Sequence, residues 1–343
     1  MPTISDKDRT PKVSTAKTVG SNLSGSCDVL LCVSEPRVSV QTIPHAQAVA
    51  EAFGGQVVLL HVVEPPANGT TPVDPVDWDI RRREMAKQLN CLARKFETPL
   101  RKIDVQILDG QCVEQTSAYV ADRPHDIVAA SRQSSTARWH LGELTRGVMA
   151  SDRASILMIP ANAPKLQEQS YTKVFVPLDG SARAESALPK AARLANAAQA
   201  DLVLCNVTPP PGLTTTGVMD REVIDLMEKV TLRNKRVGQK YLTRIQNNMS
   251  DCGVPVSTRV VVGDDVRRSL IKAISEEGAD FIVMASHGQS GHMDVPAGDV
   301  ASFILEQSAI PVLMVRQPIK PRDEHVFVDV VSEGARLPAQ SKK

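Results

Sequence analysis

The residues best suited to chemistry lie in one short stretch. Ala285-Ser286-His287-Gly288 is followed by Gln289, Ser290 and Gly291, and then, after nine residues counted from Gly288, by Gly298. The apolar run Phe281-Ile282-Val283-Met284 leads in, and Val300 to Leu305 leads out with helical spacing. Strand, glycine loop and helix start form a phosphate cradle. Glycine lets the backbone approach an anion, and the unpaired N–H groups of the next helix point at it. Without a ligand, the same pattern is a tight strand-to-helix turn. Asp179, in Val176-Pro177-Leu178-Asp179-Gly180-Ser181, ends another apolar run. A carboxylate there can accept from a ribose hydroxyl or an adenine amino group. It can equally be an Asp that shapes the turn before glycine. His287 and His292 share the loop with Asp294, but a metal site wants a further strong ligand, so a histidine bonding phosphate or water fits better. Cys112 and His140 carry no nucleophile signature, and no elbow, triad or carboxylate pair stands out.

These residues need elements to hold them, and the elements occur twice. Asp28-Val29-Leu30-Leu31-Cys32-Val33 and Val57 to Val63 are continuous apolar runs, as are Val174 to Leu178 and Leu202 to Val207. Runs that are apolar on both faces belong to parallel sheets covered by helices on both sides. Ile43 to Phe53 and Ala184 to Ala197 read as helices between them, with Ser181 as an N-cap. Longer helices are predicted at roughly Arg82–Phe96 and Arg221–Asn247. Ser34 aligns with Asp179 and His61 with Asn206, both 145 residues apart. Gly110 aligns with Gly263, Asp126 to Ser131 with Asp280 to Ser286, and Ile156 to Ile159 with Val312 to Val315. Landmarks in constant order mean a duplicated domain. Alternating strands and helices predict parallel sheets, with ligand beyond the carboxyl ends of the strands.

The expected organisation is a disordered arm over 1–27, a domain over 28–163, a linker over 164–170, a second domain over 171–317 and a tail over 318–343. Within the tail, Val326 to Val331 could form an edge strand or dock loosely. The 343 residues carry a formal charge of +1 and only 3% aromatics, which argues against a nucleic-acid partner. The six cysteines form no C-x-x-C pair, so reduced thiols are expected rather than zinc or disulfides. The N-terminus lacks an apolar signal core and no run is long enough to span a membrane, so a cytoplasmic protein is expected.

Taken together, Val-Pro-Leu-Asp-Gly-Ser at 176–181, Val262-Gly263, Asp280 to Gly288, Gly291, Gly298 and Pro311 to Arg316 resemble the universal stress protein family in its tandem form. The resemblance covers about 28–160 and 171–317. It implies an α/β fold of two open five-stranded parallel sheets, order 3-2-1-4-5, with helices on both faces, like other adenine nucleotide-binding folds. It implies that Ile156–Ile159 and Val312–Val315 pair antiparallel, making an internal dimer that could dimerise further. In the family's ATP-binding branch a G-x-x-G, nine residues, G-[ST] pattern holds nucleotide. Carried over, Pro177, Asp179 and Val207 border adenine and ribose. Ala285, Ser286, His287, Gly288, Gln289, Ser290 and Gly291, then Gly298, Asp299 and Val300, surround the phosphates of ATP or AMP, with Mg²⁺ for a triphosphate.

The chain departs from that pattern. Ala285 replaces the first glycine, and Asp299 replaces the Ser or Thr. A carboxylate about 4 Å from a phosphate costs about 1–4 kcal/mol in wet surroundings, or one to three decades in affinity. A bridging divalent ion reverses that sign. Asp299 also reads as an N-cap. In the first copy Ser34 stands in place of the aspartate, Ser131-Arg132-Gln133 in place of Ser-His-Gly, and the spacing to Gly142 is one short, leaving Arg132 and Arg138 as anion contacts. The expected function is adenine-nucleotide binding in the second copy, in a stress role without strong catalysis. The alternative is a stress scaffold that binds protein partners and no nucleotide.

Overall fold

The apolar runs become the interior strands of one sheet. The computed structural model describes residues 26–33, 36–65, 74–98, 101–121, 127–132, 147, 154–166, 170–211, 221–288 and 297–316. The first half runs β1 (Val29–Cys32), α1 (Pro36–Ala52), β2 (Val57–Val63), α2 (Pro75–Phe96), β3 (Ile103–Asp109), α3 (Cys112–Ala121), β4 (Ile127–Arg132) and β5 (Ser155–Pro160). The second runs β6 (Lys173–Pro177), α4 (Ala182–Glu185), α5 (Leu188–Ala198), β7 (Asp201–Thr208), α6 (Arg221–Asn248), β8 (Val256–Val262), α7 (Val266–Glu277), β9 (Phe281–Ala285), α8 (Asp299–Gln307) and β10 (Val312–Val315). The N-terminal arm before Ser26 and the tail after Arg316, including the Val326–Val331 strand candidate, lie outside the described residues.

Strand order is β3-β2-β1-β4-β5-β10-β9-β6-β7-β8. Each half has the order 3-2-1-4-5 with parallel pairs. β5 and β10 pair antiparallel, with Leu157 opposite Leu313, so the two five-stranded sheets are continuous. α1, α2, α5 and α6 cover one face, packing Ile43, Leu89, Leu194 and Leu242 on it. α3, α7 and α8 cover the other with Val120, Leu270 and Ile304. Burying one such side chain contributes about 1.5–3 kcal/mol, which explains why the strands read apolar at every position.

Helix boundaries differ from the sequence reading. α1 starts at Pro36 rather than Ile43, and α2 at Pro75 rather than Arg82. Val76 and Ile80 are exposed, so the first turns of α2 show no apolar stripe and periodicity misses them. Asp74 caps α2 instead, its carboxylate accepting from Val76 N at 2.9 Å. The helix predicted from Ala184 to Ala197 is two pieces, α4 and α5. Pro189 has no N–H to bond the carbonyl of Glu185, which interrupts the ladder there. Ser181 caps α4, with Oγ accepting from Ala184 N at 3.1 Å.

The two halves repeat a side-chain tie. His61 Nδ1 donates to Val33 O at 2.7 Å, and Asn206 Nδ2 donates to Leu178 O at 2.8 Å. Both clamp the end of a half's first strand to its second. The halves also meet through buried rings. His45 of α1 stacks on Tyr171, and Tyr171 packs against Phe281 at 4.5 Å between centroids. His45 Nδ1 and the Tyr171 hydroxyl are 2.9 Å apart. Burial pushes the His45 pKa down to about 4, against the smaller opposing effects of the Pro164 carbonyl and the Asp280 charge. The imidazole is therefore neutral, and one hydrogen bond joins its Nδ1 and the Tyr171 hydroxyl.

Candidate functional site

β6 and β9 are neighbours whose connections leave on opposite faces of the sheet, so their carboxyl ends splay and leave a crevice. A cleft of about 540 Å³ opens there. Pro177, Leu178 and Asp179 form one wall; Cys205 and Val207 of β7 form the back. Met284 to Gly288 form the opposite wall, and Ala297 to Ala301 close one end with the start of α8. Val266 and Leu270 of α7 add apolar floor. Its size falls within the range of small-molecule sites, which run from about 300 to 1,000 Å³.

Local bonds shape each wall. Asp179 Oδ1 accepts from Ser181 N at 2.9 Å and from Ser181 Oγ at 2.6 Å, so the turn holds its carboxylate. Gly180 sits at φ +89, in the left-handed region where glycine is favoured. Gly288 has a different reason to be glycine. A Cβ there would lie 2.1 Å from Asp179 Oδ2, so the loop and the carboxylate approach more closely than any side chain allows. Gly298 N donates to Ser286 O at 2.9 Å, which ties the returning loop to the end of β9. Ser286 Oγ and His287 Nδ1 are 3.1 Å apart.

The start of α8 corrects one reading. Gly298, not Asp299, is the N-cap, and no side chain caps the helix. Asp299 is the first helical residue, where a negative charge meets the positive end of the helix dipole. Its carboxylate meets Arg267 Nη1 at 3.2 Å. Arg267 also donates through Nε to Asp265 at 3.3 Å and lies 5.4 Å over the Phe303 ring. The hydrogen bond to Asp265, followed by the charge of Asp299, holds the guanidinium above the ordinary arginine range. The sequence reading weighed Asp299 as an isolated negative charge. Arg267 lies 32 positions earlier on another helix and has no motif of its own, so no local signal pointed to it.

Of the thirteen residues read from the sequence, Pro177, Asp179, Val207, Ala285, Ser286, His287, Gly288, Gly298, Asp299 and Val300 come together around this cleft. Gln289, Ser290 and Gly291, with His292 and Asp294, lie outside the described residues. Among the described residues no group of three His, Cys, Asp or Glu side chains is placed to hold a metal ion. In the first half, Cys32 and Cys112 stand where the second has Pro177 and Asp265. Burial pushes the Cys32 thiol up to about 12, the Cys112 charge adds to that, and the Thr116 hydroxyl opposes it. Such a thiol stays protonated and unreactive. Ser34, Gln133, Arg138 and Gly142 of that half lie outside the described residues.

With this geometry in view, comparison with known proteins is decisive on ancestry. Residues 28–160 and 170–316 each match the model of the universal stress protein family. The chain belongs to the universal stress protein family. Its doubled form has relatives of similar length: a universal stress protein of Mycobacterium tuberculosis is 23% identical over 312 residues, covering 87% of this chain and 96% of that one. Universal stress protein YxiE of Bacillus subtilis is 28% identical over 148 residues, covering 43% of this chain and 99% of that one. The crystal structure of a universal stress protein from Archaeoglobus fulgidus superposes with a TM-score of 0.59 at 19% identity, covering 85% of this chain and 98% of that one. That likeness is one of fold. In this universal stress protein no helix among the described residues is long and apolar enough to cross a membrane.

Proposed function

We propose that the second half of this universal stress protein binds an adenine nucleotide, ATP or AMP, in a cytoplasmic stress role without strong catalysis. One observation carries the reading. The Asp179 carboxylate and the start of α8 face a common cleft of about 540 Å³, and Gly288 leaves the space between loop and carboxylate free of any Cβ. Asp179 accepts from ribose hydroxyls or the adenine amino group, and Pro177 and Val207 pack on the apolar rings. The backbone after β9 and the first N–H groups of α8 take the phosphates. Were Mg²⁺ to accompany a bound triphosphate, Asp299 would be the carboxylate to help hold it, and the ion would offset the repulsion between that carboxylate and the phosphates. Isothermal titration of the full chain with AMP and with Mg²⁺-ATP tests this: a folded protein that gives no heat at millimolar nucleotide rejects it.

A second reading rests on Asp299. Its carboxylate already occupies the positive end of α8 and engages Arg267, which favours a protein-binding scaffold that takes no nucleotide. Under that reading the melting temperature is indifferent to ATP. A rise of several degrees rejects it.

A further inference from the structure

The described residues expose eight large apolar side chains, and five of them lie in the first turns of two helices or just beyond. Val76 and Ile80 are on α2; Ile224, Leu226 and Leu232 are on α6, followed by a sixth, Val237. The reason is length. α6 has 28 residues, about 42 Å at 1.5 Å per residue, whereas β7 beneath it has eight, about 26 Å. Gly238 marks where α6 meets the sheet, for a Cβ there would lie 2.7 Å from Asn206 Oδ1 near the end of β7. The buried residues of α6 are Gly238, Leu242 and Ile245, so the turns before Gly238 overhang the carboxyl edge of the sheet.

From Lys229 onward the overhang and the turn after it carry charge of one sign. Lys229, Arg233, Arg236 and Lys240 are spaced four, three and four apart, which puts them in one row on the helix. All four are exposed, and none makes an ion pair among the described residues. Leu226, Leu232 and Val237, each half or more exposed, flank the row. Glu222 and Asp225 precede Lys229 by two turns and one turn, Glu228 adjoins it, and no acidic residue follows Glu228 within α6. Lys229, Leu232, Arg236 and Lys240 line one open face of the helix.

We propose that this basic, apolar face of α6 is the docking surface for the chain's own C-terminal segment 323–333. That segment reads Asp-Glu-His-Val-Phe-Val-Asp-Val-Val-Ser-Glu, with four carboxylates, no Lys or Arg and five large apolar residues. Its chemistry is the complement of the α6 face in both charge and apolar content. Its β-branched residues favour an extended form, in which Val326 to Val331 spans about 20 Å, close to the roughly 17 Å from Lys229 to Lys240 along the helix. The tether also reaches. Val315 pairs with Ala285, Ile282 with Phe175, and Pro177 with Cys205, so Arg316 leaves the sheet level with the end of β7, three strands away. Three strand spacings are about 14 Å, the row faces away from the sheet about 15 Å above it, and the resulting span of about 21 Å lies within the roughly 23 Å that the seven residues from Arg316 to Asp323 cover when extended. A tethered segment acts at an effective concentration near millimolar, so it outcompetes a free acidic partner of equal strength.

The test uses the full chain. Zero-length carbodiimide coupling followed by peptide mapping should join Lys229 or Lys240 to Asp323, Glu324, Asp329 or Glu333 within single chains. The links should be lost at about 1 M salt, where the screening length falls to about 3 Å. In parallel, acylation of Lys229 and Lys240 should run about threefold or more slower than that of exposed Lys87, for several weak pairs acting together. The variant carrying Asp323→Asn, Glu324→Gln, Asp329→Asn and Glu333→Gln should abolish the difference. Absence of both links and protection overturns the proposal. Links formed only between two chains overturn it in favour of a second copy. Amide protection of Val256–Val262 by the segment overturns it in favour of an added strand beside β8.

Discussion

Replacing Asp299 with Asn should tighten AMP binding, by an amount the structure bounds. In water-like surroundings two unit charges about 4 Å apart interact by about 1 kcal/mol, and at lower effective dielectric by about 4. The Asp299 side chain is 80% exposed, which selects the lower figure. Arg267, 3.2 Å away, offsets part of the negative charge, so the residual penalty on a phosphate does not exceed that figure. The expected gain is therefore about threefold to fivefold in AMP affinity in magnesium-free buffer. It should shrink as salt is raised, because both charges face solvent. With Mg²⁺-ATP the sign should reverse, since the substitution removes a ligand for the bridging ion. Titration calorimetry of wild type and variant, with AMP in chelator and ATP in Mg²⁺, reads both arms; a thermal melt without ligand confirms that each is folded. An AMP affinity unchanged or weakened by Asp299→Asn in chelator would refute the placement of the phosphate beside the start of α8.

Other expectations follow from the same geometry. His45 has a folded pKa of about 4 against an ordinary value of 6.5, so the unfolded chain binds its proton first as pH falls. Stability should be independent of His45 above about pH 6.5 and decline between 6.5 and 4, by about 3 kcal/mol in total. Urea unfolding at a series of pH values measures this, and His45→Gln should flatten that part of the profile. Gly288→Ala should displace the Asp179 carboxylate, which the new Cβ would meet at 2.1 Å. Because a carboxylate end can move, the melting temperature should change little while nucleotide affinity falls; a variant that binds as wild type counts against Asp179 as a ligand group. Gly238→Val should push α6 away from Asn206 and Thr208, destabilising by about 1–3 kcal/mol in urea unfolding.

How much was legible in the chain depends on the range of the cause. Val174 to Val176 and Leu202 to Leu204 are apolar because helices cover both faces of the sheet, and that requirement is written at every position. Ser181 and Gly298 act within a few residues of themselves, so the turn and the loop that carry the candidate site were readable, as was the doubling, which needs only landmarks in constant order. The first turns of α2 were not readable as helix, because they bury nothing and carry no stripe, whereas α6 was read from Arg221, where it begins. Asp299 was read both as a charge beside phosphate and as an N-cap; the cap falls to Gly298, whose carbonyl accepts from Ser302 N at 2.9 Å.

Local chemistry along the chain was enough to specify strands, turns, the repeated domain and, around one cleft, Asp179, Ser286, His287, Gly288 and Gly298, while the family resemblance supplied Pro177, Val207, Ala285, Asp299 and Val300. Folding alone brought Arg267 to Asp299, His45 to Tyr171 and Asp179 to within a missing side chain of Gly288. Those contacts join residues 32, 126 and 109 positions apart, and no pattern of period 2 or 3.6 encodes a pair across such distances. Their energies depend on burial and dielectric, which exist only once helices and strands have packed within the second half and, for His45 and Tyr171, once the two halves have met.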